Sequence, residues 1–315
     1  MKIYPLKFNP IFKERIWGGR KLAEVFGKAL PDGVKIGESW ELADLPNDKS
    51  VITNGLLAGH TLAGAIGRYP EEITGDANFT CPFPLLIKLL DAEDVLSVQV
   101  HPDKDACRQM GKGDPKTECW YIIAAEPNAV IYKGLKHGVT RDQLAKAIKN
   151  GSVAELLVKV PVSSGECHFL PAGTAHAIGA GLLIAEIQMP SDTTYRVFDW
   201  NRLDDSGKPR TMHIEEALES IHYDSSGDNL AVETVGRLVD SLYFKVDKHN
   251  QTPRGEMLVK QGRLQVLIII SGSGKIIDKN IEPVRFTAGD TLLIPAAFEG
   301  AMRFDADTEY LTVTL

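Results

Sequence analysis

In the stretch "SVQVHPD", Gln99 and His101 stand two residues apart, and both side chains could serve as donors to an ion or a substrate. Successive side chains leave a strand on opposite faces, so Ser97, Gln99 and His101 share one face while Val98 and Val100 share the other. If the polar row faces water it carries no information, because a half-buried antiparallel strand is polar on one side by default. If it faces a protein interior, the carboxamide and imidazole need a partner there, and a metal ion is one candidate. Lys88 raises a similar question, since it interrupts the apolar run "LLIKLL", where a charge must find a partner or leave the wall. Lys116 precedes Glu118 by two residues, and on an extended segment both point to the same side.

The elements that must position these groups are short. Apolar or alternating runs bounded by Gly, Pro and Asp recur at 85–90, 96–101, 118–124, 129–132, 166–170, 182–188, 264–270, 291–294 and 310–314. Their length and spacing are those of an all-β sandwich or barrel. Helical periodicity is confined to a few places that read as insertions. "TRDQLAKAIKNGSVAELLVKV" carries Leu144 and Ile148, then Val153, Leu156 and Leu157 beyond a break at Gly151. "TMHIEEALESI" puts Ile214, Leu218 and Ile221 on one stripe, with Thr211 as the candidate cap. The polar stretch at 222–233 is the linker candidate. The block after it echoes the block before: "GECHFLPAGTAH" and "GDTLLIPAAFEG" align without gaps, with Gly165 six residues before Pro171 and Gly289 six before Pro295.

A chain of 315 residues has the length for two domains or one elaborated domain. Its net charge of −7 argues against general nucleic-acid binding but leaves room for a local basic pocket. Cys81, Cys107, Cys119 and Cys167 sit singly, without a CxxC pair or a signal-peptide pattern, and read as reduced thiols of a cytoplasmic protein. No apolar run approaches the ~18 residues of a membrane span, and the Asn78-Phe79-Thr80 sequon is then a chance tripeptide. No P-loop or GxGxxG accompanies a strand-to-helix turn, which argues against nucleotide binding.

Gly165, Pro171, Gly173 and His176 are spaced as in the second sequence motif of the cupins, small double-sheet jelly-roll barrels that often hold a metal. In the second copy Phe298 or Glu299 falls near the histidine's place, so that half resembles a cupin that kept the fold and lost the metal. Trp17-Gly18-Gly19, "GESWELAD", "FPLLIKLLDA", "SVQVHPD", Lys116-Thr117-Glu118, the histidine motif and "YRVFDWNR" then occur in order. Together they resemble the type I mannose-6-phosphate isomerases in their shorter bacterial form, from the N-terminus to about residue 220. The resemblance implies a mainly β fold of two cupin barrels with a small helical insertion around 138–160. A metal-bearing catalytic domain is expected over 1–228 and a degenerate cupin lacking metal ligands over 229–315.

The resemblance also implies a site. His101, Glu118 and His176 are the expected ligands of one Zn2+ per chain, with Gln99 as the fourth donor; two imidazoles, a carboxylate and an open position suit catalytic zinc. Summing +2 and −1 leaves a positive centre that favours a developing oxyanion. Unlike generic cupins, the chain has a glutamine in place of the first histidine, and Glu118 lies seventeen residues after His101, which agrees with the isomerases. Arg196 matches the family's active-site arginine and is expected to be catalytic with Lys116 and Glu186. Lys88, Ser97, Asp192, Arg202 and Trp17 are expected to bind substrate. The implied reaction interconverts mannose 6-phosphate and fructose 6-phosphate through an enediol, in a monomer or weak homodimer without nucleic-acid or membrane partners.

Two rivals remain: an Fe(II)-dependent cupin oxygenase, whose iron takes similar ligands, and a non-catalytic sugar-phosphate-binding cupin. His168 is set aside because the bend at Pro171 to Gly173 breaks its spacing to His176. Cys119 and Cys167 neighbour site residues and so face away from them. His60, His137, His213, His222 and His249 are expected in solvated loops or helices.

Overall fold

The runs "LIKLLDA" and "LLIAEIQ" pair antiparallel from Leu182 opposite Ala92 to Gln188 opposite Leu86, and every residue of both strands is buried. Strands stay apolar on both sides when their sheet is covered on both faces, and this sheet is the central layer of the molecule. In the computed structural model, which describes residues 2–203, 207–224, 235–259, 262–279 and 281–315, the strands form four open sheets.

Sheet I runs Ile11–Gly19, Ile36–Leu42, Leu86–Ala92, Leu182–Gln188, Glu118–Ala125, Cys167–Leu170 in spatial order. Sheet II runs Tyr195–Phe198, Val98–Val100, His176–Ile178, Val130–Leu135, Leu157–Pro161. Sheet III runs Leu6–Lys7, Thr291–Ile294, Gln265–Ser271, Thr308–Thr314, Lys245–Gln251, Gly236–Asp240, and sheet IV runs Glu256–Leu258, Ala301–Phe304, Ser273–Asp278, Ile281–Thr287.

One face of sheet I, with Leu90, Trp120, Ile122 and Ile184, shares a core with Ile131 and Ile178 of sheet II. The other face, with Leu89, Cys119, Leu183 and Ile187, shares a core with Val246, Leu293 and Leu311 of sheet III. Each Leu or Ile buried there contributes ~1.5–3 kcal/mol. The buried charges Lys88, Glu118 and Glu186 of sheet I are on the sheet II side, since they alternate with apolar residues that face sheet III, and Glu38 lies with Lys88 and Glu186 in one cavity wall.

The internal echo extends through the topology. In sheet I the order from Ile36–Leu42 to Cys167–Leu170 is repeated in sheet III from Gly236–Asp240 to Thr291–Ile294, and four strands of sheet II find counterparts in sheet IV. Gly165 and Gly289 both take a positive φ, 95° and 83°, just before the corresponding strands. The mainly β expectation therefore holds, as two matching pairs of open sheets; among the described residues no sheet closes on itself into a barrel. The first strand, Leu6–Lys7, pairs with Thr291–Ile294 rather than with the first half. The expected boundary at 228 and most of the 222–233 linker fall outside the described residues.

The helical insertion separates Val130–Leu135 from Leu157–Pro161, where the second half has only two residues between Ser273–Asp278 and Ile281–Thr287. Helix Arg141–Asn150 starts at Thr140, which forms a capping box with Gln143, and stops at Gly151 with φ 78°. Beyond it the periodicity of Val153 and Leu156 produces one 3-10 turn, and Leu157 already begins a strand because "LVKVP" is β-branched and ends in proline. Helix Ile214–Ser220 follows His213 without a side-chain cap. Thr211 does not cap it; its carbonyl accepts a hydrogen bond from Arg196. No helix of the described residues is long and apolar enough to cross a membrane.

Candidate active site

His101 follows strand Val98–Val100 and His176 opens strand His176–Ile178, both in sheet II, while Glu118 opens Glu118–Ala125 in sheet I. Two facing sheets thus bring together residues far apart in the chain. Glu118 Oε2 lies 3.3 Å from His101 Nε2, and Oε1 lies 3.4 Å from His176 Nε2. The two imidazole centroids are 4.9 Å apart, and Trp120 meets the His176 ring edge-on at 5.3 Å.

The tautomers follow from the backbone. His101 Nδ1 is 2.9 Å from the Thr193 carbonyl and His176 Nδ1 is 2.8 Å from that of Thr174, so each Nδ1–H donates outward. Each Nε2 then presents a lone pair to the space between the sheets. Both Nε2 atoms and Glu118 Oε1 are buried without a hydrogen-bond partner, while Glu118 Oε2 has the Lys116 ammonium in ion-pair contact. Buried polar atoms are paired in most proteins, and three unpartnered acceptors aimed at one point fit a cation; one donor atom from each of the three residues lies within 4.8 Å of the others.

Protonation agrees. Burial, with Lys116 nearby, lowers His101 to about 3, and burial also lowers His176. Burial by itself would raise Glu118, but Lys116, His101 and His176 outweigh it and hold the carboxyl well below its usual range. Neutral imidazoles and an ionised carboxylate are the forms a metal takes. Lys116 Nζ lies 2.9 Å from Glu118 Oε2, on the same side as expected.

Gln99 stands directly opposite His176 on one side and Arg196 on the other. In-register neighbours have Cβ atoms ~5 Å apart on one face, so its carboxamide faces the same space. It lines a cavity of about 360 Å³ together with Trp17, Lys88, Ser97, Lys116 and Glu186. Asp192 and Arg196 complete the set of predicted residues in that wall.

A charge relay runs along the wall. Lys88 Nζ is 2.8 Å from Glu186 Oε1 and 3.9 Å from Glu38 Oε2. Glu38 accepts from Arg15 Nε at 2.7 Å and from Trp40 Nε1 at 2.6 Å, and Trp120 Nε1 donates to Glu186 at 3.0 Å. Burial would raise Glu38, yet Lys88 and Arg15 dominate and hold it at about 2. Arg196 donates to Ser97 Oγ at 3.3 Å and to the Thr211 carbonyl at 2.7 Å. It has no carboxylate in ion-pair contact among the described residues.

Arg202 does not line the cavity. Its guanidinium is engaged by Asp199 at 2.7 Å and by the Val95 carbonyl. Asp199 also accepts from Arg210, which does line the cavity, so Arg202 stands one step behind the wall. Arg15, Glu38 and Arg210 are the charged wall residues that the sequence reading missed. The alternation Lys13, Arg15, Trp17 in "IFKERIWGG" was the available signal for the first. His168 is buried against Trp120 in sheet I and bonded to Glu166, away from the cavity wall. His213 is half-buried rather than solvated, its Nδ1 accepting the backbone N–H of Arg196.

Comparison with known proteins places the chain in a family. The family described as phosphomannose isomerase type I, catalytic domain, matches residues 6–121. The chain is 40% identical over 317 residues to "Probable mannose-6-phosphate isomerase GmuF" of Bacillus subtilis, covering 98% of each. The crystal structure of the mannose 6-phosphate isomerase from Bacillus subtilis superposes with TM-score 0.86 at 31% identity, covering 99% of both chains. A more distant structure, 18% identical with TM-score 0.75 and covering 99% of this chain and 100% of its own, is a mannose 6-phosphate isomerase bound with zinc and yttrium. With such identity to a curated relative over nearly its whole length, the chain belongs to the phosphomannose isomerase type I family.

Proposed function

We propose that the protein interconverts mannose 6-phosphate and fructose 6-phosphate by moving a proton between C1 and C2 through an enediol. The observation that carries this reading is the convergence of buried donor atoms on His101, Glu118 and His176, three of them unpartnered, set beside a cavity whose wall is rich in cations. His101, Glu118 and His176, with Gln99 as a further ligand, would hold a divalent ion such as zinc, which would supply Lewis-acid polarisation of the substrate carbonyl. Glu186, fixed by Lys88 and Trp120, handles the proton. Arg196, without a carboxylate of its own, stabilises the substrate oxygen that gains charge.

The phosphate lies toward Ser97, Arg15 and Arg210. Arg15 and Arg210 each pair with one carboxylate, Glu38 and Asp199, and keep guanidinium donors to spare, whereas the Lys88 ammonium is buried between two carboxylates. Lys116 holds Glu118 ionised, and Asp192 meets substrate hydroxyls at the wall. Trp17, 4% exposed, shields the reacting carbons from water. All four cysteines carry free thiols, which supports a cytoplasmic setting.

The test is purified protein with fructose 6-phosphate, with and without chelator, followed by a coupled readout. Turnover abolished by chelator and restored by zinc is expected. Absence of turnover with every divalent metal would overturn the proposal. Oxygen uptake would favour the oxygenase, and binding without turnover the sugar-phosphate-binding cupin.

A further inference from the structure

The two halves correspond residue by residue. His176 is in register with Gln99 and Lys133; Met302 is in register with Met257 and Ile276. Glu118 faces Leu170 across sheet I, and Gln265 faces Ile294 across sheet III, where Leu170 and Ile294 each lie five residues after the turn glycine. Val259, two residues beyond Met257, occupies the place His101 holds beyond Gln99. Met302 therefore takes the place of His176, and neither Phe298 nor Glu299 does, because the second half has two more residues between its proline and this position.

Met257, Val259, Gln265 and Met302 line a single cavity of about 240 Å³ between sheets III and IV. The second half has thus kept an open space where the first half keeps its site, while losing every imidazole and carboxylate among those four positions. Protein cores are close-packed, and a void without use is filled by larger side chains. Its chemistry is divided. The floor is apolar, with Leu267, Ile294 and Met302 at most 3% exposed. Thr312 and His249, whose ring stacks on Tyr310 at 4.9 Å, add polar groups to the wall. At the mouth Arg237 is tied to Asp247 and Asp240, whereas Arg263 is exposed and has no ion pair among the described residues.

We propose that this cavity is a second ligand site for a small organic monocarboxylate, its apolar body on the Leu267, Ile294 and Met302 floor and its carboxylate against Arg263. An arginine at the rim of an apolar pocket with a few polar wall groups is the recognition pattern such a molecule requires. Hexanoate, with eight non-hydrogen atoms, and benzoate, with nine, suit a cavity just below the ~300–1,000 Å³ of drug-sized ligand pockets.

Methyl-labelled methionine reports directly, because the chain has six methionines and two line this cavity. Titrating the full-length protein with benzoate and with hexanoate is expected to shift the Met257 and Met302 methyl signals saturably, leaving Met110, Met189 and Met212 in place. Arg263→Ala, at an exposed position, is expected to weaken binding about tenfold while isomerase kinetics stay unchanged. Thr312→Val serves as a second variant and is expected to weaken it less. Unmoved Met257 and Met302 signals would overturn the proposal. So would equal binding of hexanol or benzyl alcohol, which lack the charge, or shifts produced only by a soft metal ion.

Discussion

Lys88 and Glu186 face each other in register on adjacent antiparallel strands, with Nζ 2.8 Å from Oε1 and both side chains buried. Burial would lower the lysine, but Glu186 and Glu38 outweigh it and raise its pKa. Removing one partner of such a pair leaves an uncompensated buried charge, so Lys88→Met is expected to cost about 3–5 kcal/mol in urea unfolding. Replacing both partners by methionine is expected to recover much of that loss while turnover stays abolished. A Lys88→Met protein as stable as the parent would show that the pair carries no structural weight.

Arg196 separates chemistry from metal binding. It is held by Ser97 and Thr211, and among the described residues it makes no ion pair or hydrogen bond with the three candidate ligands. Arg196→Ala is expected to keep the metal content of the parent and to lose about 10²–10³ in kcat, the range for removing one oxyanion donor. Atomic absorption and steady-state kinetics on one preparation check both parts. Normal turnover would remove Arg196 from the mechanism.

How much of this was legible beforehand differs between residues for physical reasons. Lys88 and Gln99 were readable because a strand's period of two assigns faces locally. The meeting of His101, Glu118 and His176 was not, since they come from two facing sheets and spacing carries no information about that contact; only the resemblance joined them. The sequence reading supplied the repeated Gly-to-Pro strand, and the topology then extended it through both halves. The pairing of Leu6 with Leu293 joins the two ends of the chain and has no local signature. Arg210 was missed because its place in the wall depends on Asp199, which two arginines share.

Gln99 is the least settled donor by chemistry, because a neutral carbonyl oxygen is a weak ligand. Its position opposite His176 favours ligation. Gln99→Leu is expected to weaken zinc binding by at least about tenfold, the lower end of what even outer partners of metal ligands contribute. Competition with a chromogenic chelator measures this. Unchanged affinity together with a raised KM would assign the carboxamide to substrate instead.

Asp91 offers a pH test away from the metal centre. Its Oδ2 accepts the backbone N–H of Lys21 at 2.7 Å, at the start of helix Lys21–Phe26, while Oδ1 is buried without a partner. Burial, with Glu93 and Glu24 nearby, raises its carboxyl to about 6 from 3.8. The folded protein therefore binds this proton more tightly than the unfolded chain. Its contribution to stability is complete below pH 3.8 and is lost as the pH rises through 6. Asp91→Asn keeps an acceptor for Lys21 and removes the titration. The stability difference, variant minus parent, is expected to grow between those two pH values and then level off. Urea midpoints across that window check it, and parallel curves would show that Asp91 titrates alike in both states.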